Sequence, residues 1–208
     1  MNIVVFGASG KVGRLLVPEL LKDGHHVTAF VHSKTPFKDD SSLKVVKGDV
    51  HDKNDIEQAL IGQEIVMSTL GSWHTKTKDI VSSAVTAIVP IMEKNGIRRI
   101  ITLTGSGARA TGDKKSLFES GGHGVFSVIA GKIVRDSETH IKLLEESSLD
   151  YCVLRSPIML GRQNNKYLLN NVVPGALATV NRAAVVSALK DLVTSTQHSR
   201  TAPYIHQN

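Results

Sequence analysis

Cysteine is nearly absent from this chain of 208 residues: Cys152 is the single one. Disulfide frameworks and cysteine metal clusters are thereby excluded, and a reducing cytoplasm is the expected compartment. Cys152 stands in an apolar run with Tyr151, Val153 and Leu154, so it reads as an inert buried thiol rather than a nucleophile. Aromatic residues are also scarce, at 4%, which leaves little for stacking on bases. The net charge is +6, but Lys and Arg are spread along the chain, with only short doublets at Arg98-Arg99 and Lys114-Lys115. Nucleic-acid binders gather such charge into a stripe, so no nucleic-acid partner is expected. An anionic small ligand or ordinary solubility accounts for the charge. No apolar run approaches the ~20 residues that span a membrane. The basic start and cleavage site of a signal peptide are missing too, so no membrane partner is expected. His25-His26 has no partner at metal-ligand spacing, and no metal is expected.

What the chain does have comes early. "NIVVFGASGKVGR" begins at Asn2. Ile3, Val4, Val5 and Phe6 are β-branched or aromatic with no polar alternation, which predicts a strand buried on both faces, as in a helix-covered parallel sheet. Gly7, Gly10 and Gly13 follow at three-residue spacing. Val12, Leu15, Leu16 and Leu20 continue at helical spacing, so a helix starts near Lys11. A strand, a glycine turn and a helix start bring free amide N–H groups and a positive helix end to one point, and such a point binds phosphate. The spacing is G-x-x-G-x-x-G rather than the common G-x-G-x-x-G; a ligand-free tight turn is the alternative. Pro18 inside the helical pattern predicts a kink.

Strands are predicted at 2–6, 27–31, 43–47, 64–70, 99–104 and 150–155, and helices at 11–23, 53–60, 78–95, 131–147 and 182–194. Gly24 and Gly96 sit where left-handed helix caps belong. Asp52 or Asn54 suits the cap of the helix at 53–60. This alternation predicts an α/β fold, a doubly wound parallel sheet of Rossmann type in a single domain over 1–208. Ligands in such sheets bind at the carboxyl ends of the strands, near the reversal of strand order. Residues 105–130 break the rhythm with six glycines. This segment follows the fifth strand, and we expect it to be a lid over the substrate pocket, the alternative being a surface loop without a role.

The stretches "GASGKVGR", "HHVTAFVHSK", "VVKGDVHD", "STLGS", "IITLTGSGA", "LEESSLDYCVLRSPIMLG" and "TVNRAAVVSAL" follow the order and approximate spacing of the atypical short-chain dehydrogenase/reductases. The chain most resembles their NAD(P)H-binding branch, which includes biliverdin-IXβ/flavin reductases and NmrA-like proteins. The resemblance covers nearly the whole chain. The glycine turn and "GDV" are its most specific pieces; "RSP", where relatives usually have Arg-Pro, is looser. It implies that backbone amides around Ser9, Gly10, Lys11 and Val12 hold a pyrophosphate. It implies that Asp49 and Val50 border the adenine, with the Asp49 carboxylate accepting from its amino group; a turn or helix-capping role is the alternative for Asp49. Thr69, Leu70 and Gly71 would line the ribose side. Thr104 would sit near the nicotinamide, with Pro157 and Ile158 behind its ring.

No acidic residue stands after strand two to take the 2′-hydroxyl of NAD. The chain reads Val31, His32, Ser33, Lys34, and relatives often carry Arg where His32 stands. A 2′-phosphate wants cationic donors, and His32, Ser33, Lys34, Lys11 and Arg14 are in range. NADP(H) is therefore expected over NAD(H).

The Tyr-x-x-x-Lys pair of typical short-chain dehydrogenases, an acid/base couple, is missing. Tyr151, Tyr167 and Tyr204 are followed four positions on by Arg155, Asn171 and Asn208. That argues against alcohol dehydrogenation and sugar epimerisation. It suits a reductase that passes hydride to a flat conjugated acceptor (a flavin or quinone) with protons from solvent. Thr104 and Ser106 are the candidate catalytic residues, and Trp73, His74 and His123 the candidate pocket residues. For Trp73 packing is the alternative, and for the two histidines plain solvation. His140, in a helix, reads as structural, and Arg155 as ordering the end of strand six. A cofactor-sensing regulator without turnover, as in NmrA-like proteins, is the second functional class. The short region after "RSP" leans to the reductase. A monomer or homodimer is expected.

Overall fold

The computed structural model describes residues 1–73, 75–113, 125–161, 164–175 and 177–207, with backbone alone at 125–130. Eight strands form one sheet in the order β3-β2-β1-β4-β5-β6-β10-β8. The first six are β1 (Asn2–Phe6), β2 (His26–Val31), β3 (Leu43–Lys47), β4 (Ile65–Ser68), β5 (Arg99–Gly105) and β6 (Asp150–Ser156). All pair in parallel. Strand order reverses between β1 and β4, where Phe6 lies beside Ser68. The α/β doubly wound sheet is the fold that the alternating pattern calls for.

The apolar run of β1 explains its central place. Ile3 and Val5 pack into one core cluster, and Val4 and Phe6 into the other. All four are fully buried, each worth roughly 2 kcal/mol of apolar burial. One cluster packs under α1 (Gly13–Lys22) and α5 (Arg182–Asp191). The other packs under α2 (Lys53–Leu60), α3 (Ile80–Lys94) and α4 (Val125–Glu146). Gly24 and Gly96 take positive φ just past α1 and α3, and Asp52 caps α2 by accepting from the Asn54 amide. Helix α1 continues through Pro18.

Three corrections concern element boundaries and the chain after β6. Helix α4 begins at Val125 rather than 131, so the loop expected over 105–130 is shorter. Residues 114–124 lie outside the described ones. The fourth strand stops at Ser68, leaving Thr69 and Leu70 in the turn beyond it. Finally, the chain after β6 holds three strands that periodicity misses. These are β7 (Ile158–Met159), β8 (Leu168–Asn170) and β9 (Thr179–Val180), each too short to show a repeat. β7 and β9 form a separate two-stranded sheet. β10 (Tyr204–His206) is not the edge: it runs parallel to β6 and antiparallel to β8, which takes the edge. Among the described residues, no helix is long and apolar enough to cross a membrane.

Candidate functional site

The glycine turn closes on itself. Gly10 N donates to Gly7 O at 2.9 Å, Arg14 N to Gly10 O at 3.0 Å, and Leu16 N to Val12 O at 3.0 Å. Among the described residues no backbone acceptor takes the amides of Ser9, Lys11 or Val12, and no side chain caps α1. A helix start left open in this way offers donors and a positive dipole end to an anion.

The three glycines have different duties. Gly7 has φ +75, and a Cβ there would lie 2.9 Å from Leu70 N. It lets the β1 turn touch the β4 turn at the reversal of strand order. At Gly13 a Cβ would press on Gly7 O at 2.4 Å, so this position is fixed by helix-to-turn packing. Gly10 meets only Gly7 O, at 3.0 Å. Its missing side chain leaves room on the outer side of the turn.

Thr69 ties the two turns together, its hydroxyl donating to Gly7 O at 3.1 Å and its amide to Phe6 O at 2.9 Å. Thr104 on β5 is buried, and Ser106 N donates to Ser156 O at 2.8 Å. Gly7, Thr69, Leu70, Gly71, Thr104 and Ser106 thus all lie at the carboxyl ends of neighbouring strands. His32, Ser33 and Lys34 follow β2 and are exposed, and no carboxylate stands between Val31 and Lys38.

Asp49 Oδ1 accepts from the His51 amide at 2.9 Å, and its own amide donates to Asp55 Oδ2 at 2.9 Å. One carboxylate oxygen is therefore spent on a local turn. Val50 is buried. Ile158 is 64% exposed at the start of β7, and Trp73 is 58% exposed beyond β4. His74 and His123 lie outside the described residues.

The tyrosines are engaged elsewhere. Burial raises the pKa of all three. Tyr167 donates to Asp191 at 2.5 Å. Tyr204 lies under the Arg155 guanidinium, 3.7 Å from its ring centroid. Arg155 is fully buried and orders the end of β6. It donates to Ala202 O at 2.7 Å, to the Tyr204 hydroxyl at 2.8 Å and to Asp113. Burial opposes ionisation of Asp113, but donors from Arg155 and the Ala110 amide outweigh it and hold its pKa below the usual value. This pair fastens the segment after β5 to β6. Burial pushes the Cys152 thiol up to about 12, which keeps it inert.

Sequence reasoning missed Asp136 on α4. It accepts from the Ser72 hydroxyl and from the Val81 and Ser82 amides, the last at 2.9 Å. The carboxylate caps α3 from 54 positions away, so no local signal marks it. His140, one turn on, is buried with Nε2 2.8 Å from the Thr102 hydroxyl. Burial pulls its pKa down to about 4, which makes it a neutral structural group. Among the described residues no three His, Cys, Asp or Glu side chains group as a metal site.

Known structures share this fold. An anaerobilin reductase from Escherichia coli superposes with a TM-score of 0.79 at 21% identity, covering 99% of this chain and 97% of that one. A short-chain dehydrogenase/reductase from Veillonella parvula, crystallised with NADP, gives 0.76 at 24% identity, covering 99% and 94%. In sequence, 108 residues are 32% identical to an uncharacterized protein of Mycobacterium tuberculosis, over 51% of this chain but only 12% of that protein. An uncharacterized chloroplastic protein of Arabidopsis thaliana is 39% identical over 67 residues, 30% of this chain and 24% of that one. The family profile described as NAD(P)H-binding matches residues 7–196. The chain belongs to this NAD(P)H-binding family.

Proposed function

We propose that the protein is an NADPH-dependent reductase that passes hydride to a flavin, quinone or other conjugated acceptor. The observation that carries this reading is the uncapped glycine turn: the amides of Ser9, Lys11 and Val12 are open beside a Gly10 that leaves space for a diphosphate. The geometry fits the cofactor at its other end too. His32, Ser33 and Lys34 offer donors to a 2′-phosphate, with no carboxylate to repel it. Asp49 and Val50 border the adenine, Thr69, Leu70 and Gly71 line the riboses, and Pro157 and Ile158 back the nicotinamide.

Bound there, NADPH supplies a hydride. The chain's own part is to bind, orient and exclude. Thr104 and Ser106 flank the reacting face from the end of β5. The open Thr104 hydroxyl, which makes no hydrogen bond among the described residues, is free to meet a carboxamide or acceptor oxygen. Trp73 lines the acceptor pocket in this reading, beside the stretch after β5 that Arg155 fastens at Asp113. With all three tyrosines held in the fold, the acceptor takes its proton from solvent in this reading. This suits a conjugated acceptor, whose reduced form is stabilised by its own ring system. Relatives in fold include a protein named for anaerobilin reduction.

The test is to mix purified protein with NADPH and a panel of FMN, riboflavin and quinones, and to follow NADPH absorbance. Turnover above the uncatalysed background is expected. Tight NADPH binding with no turnover on any acceptor would instead make the protein a cofactor sensor.

A further inference from the structure

The loop between β4 and α3 is drawn together around one ammonium group. Lys78 Nζ donates to Ser72 O at 3.2 Å, to Trp73 O at 3.2 Å and to Thr75 O at 2.6 Å. An ammonium has three donors, and here all of them go to carbonyls of the same loop. Such bonds are charge-assisted and strong. No carboxylate among the described residues forms an ion pair with Lys78, so these carbonyls are its partners. The Thr75 hydroxyl adds a further tie, shared between Ser72 O at 2.9 Å and Thr77 O. The base of the loop is fixed independently: Ser72 is buried, and its hydroxyl donates to Asp136 on α4.

A second observation gives this clamp a purpose. Trp73, whose carbonyl Lys78 holds, is the single tryptophan of the chain, and its side chain is exposed. An indole placed by the fold alone buries most of its surface. Here the main chain beneath the ring is tied down while the ring itself is left to solvent. That arrangement presents a flat apolar face to something else. The ring follows Gly71 by two positions, just beyond the carboxyl end of β4, the strand that borders β1 at the reversal of strand order.

We infer that Lys78 is a positioning residue: it gathers Ser72, Trp73 and Thr75 around its ammonium so that the Trp73 indole stands as a stacking platform for the acceptor ring. The inference rests on the reductase reading, which puts a flat conjugated ring at the carboxyl edge of β4. Lys78 acts through Trp73 rather than on the acceptor. The order of the loop is then settled on folding, so the acceptor does not lose affinity by imposing it. Charge alone does not make the clamp. Carbonyls that converge on one point suit a compact ammonium with rotatable donors, and a planar guanidinium cannot replace it. Lys78→Arg keeps the charge and Lys78→Met keeps an unbranched stem, so together they separate charge from geometry.

With a single tryptophan in the chain, protein fluorescence reads this loop directly. Acrylamide quenching of Trp73 is measured in the full chain, in Lys78→Met and in Lys78→Arg. Riboflavin and a naphthoquinone are then titrated in with NADP⁺ present, with the quenching of Trp73 as the signal. In Lys78→Met, acrylamide quenching should rise about twofold to threefold and ring affinity should fall about tenfold, with NADP⁺ affinity unchanged. Lys78→Arg should recover less than half of the loss. In a Trp73→Ala background, followed by riboflavin fluorescence, Lys78→Met should cost little further. Unchanged Trp73 quenching in Lys78→Met overturns the inference, as does full recovery in Lys78→Arg. An equal loss of ring and NADP⁺ affinity overturns it too, and so does binding of neither ring by the wild type. Ring binding that depends on Lys78, without NADPH oxidation on any acceptor, keeps the inference and overturns the reductase reading instead.

Discussion

Helices α1 and α3 both start at the carboxyl edge of the same sheet, yet their first turns are finished differently. The α3 turn is sealed. Asp136 reaches across from α4, takes the Val81 and Ser82 amides and is closed over by Ser72. The α1 turn is left open, with no capping side chain and three amides facing outward. The positive end of a helix is satisfied by the protein or by a ligand. In this molecule a carboxylate of its own fills one place, and we assign the other to the cofactor. The contrast also explains why a helix start alone does not mark a site.

The comparison can be broken most severely on its sealed side. Asp136→Ala leaves two buried donors and one half-buried donor without an acceptor and should cost about 3 kcal/mol of stability, read from the shift in urea midpoint. It should leave cofactor affinity nearly unchanged in the fraction that remains folded. On the open side, Gly10→Val places a side chain where the diphosphate comes in. Cofactor affinity should fall about 100-fold or more, measured by fluorescence titration with NADPH, with the urea midpoint close to wild type.

A pH series sharpens the same contrast. Burial holds His140 in its neutral form, with its folded pKa at about 4, below its usual 6.5. The unfolded chain therefore binds the extra proton first as pH falls. Stability from this group is present above about pH 6.5 and is lost on the way down towards pH 4. The expected loss is about 2 kcal/mol between roughly pH 7 and pH 5, seen as a falling urea midpoint. A His140→Gln variant should show a shallower decline. The smallest effect belongs to the exposed end of β2. Lys34→Ala should reduce the preference for NADP⁺ over NAD⁺ about threefold to tenfold, through a weaker hold on the 2′-phosphate in solvent.

The two halves of the chain differ in how much of them could be read from sequence. From β1 to β5, neighbours in sequence are mostly neighbours in space, and the central strand β1 is a continuous apolar run after Asn2. The glycine turn, the caps at Gly24, Asp52 and Gly96, and the core face of β1 all follow from local rules. After β6 that breaks down. β10 inserts between β6 and β8, and strands of two or three residues carry no period. The exposure of Ile158 could not be told from its apolar character. Asp136 shows the limit best: it is an ordinary polar residue of an amphipathic helix until α3 is packed against it. The Arg155 guanidinium was legible as an ordering group, but its partners Asp113 and Tyr204 were not, because they come from a loop and from the last strand.

Isothermal calorimetry of NADP⁺ against the wild-type protein and Gly10→Val tests the central claim most directly. The account predicts one saturable site in the wild type, tighter for NADP⁺ than for NAD⁺, and no measurable heat in the variant at the same concentrations. Undiminished affinity in Gly10→Val, or no heat from the wild type with either nucleotide, would contradict it.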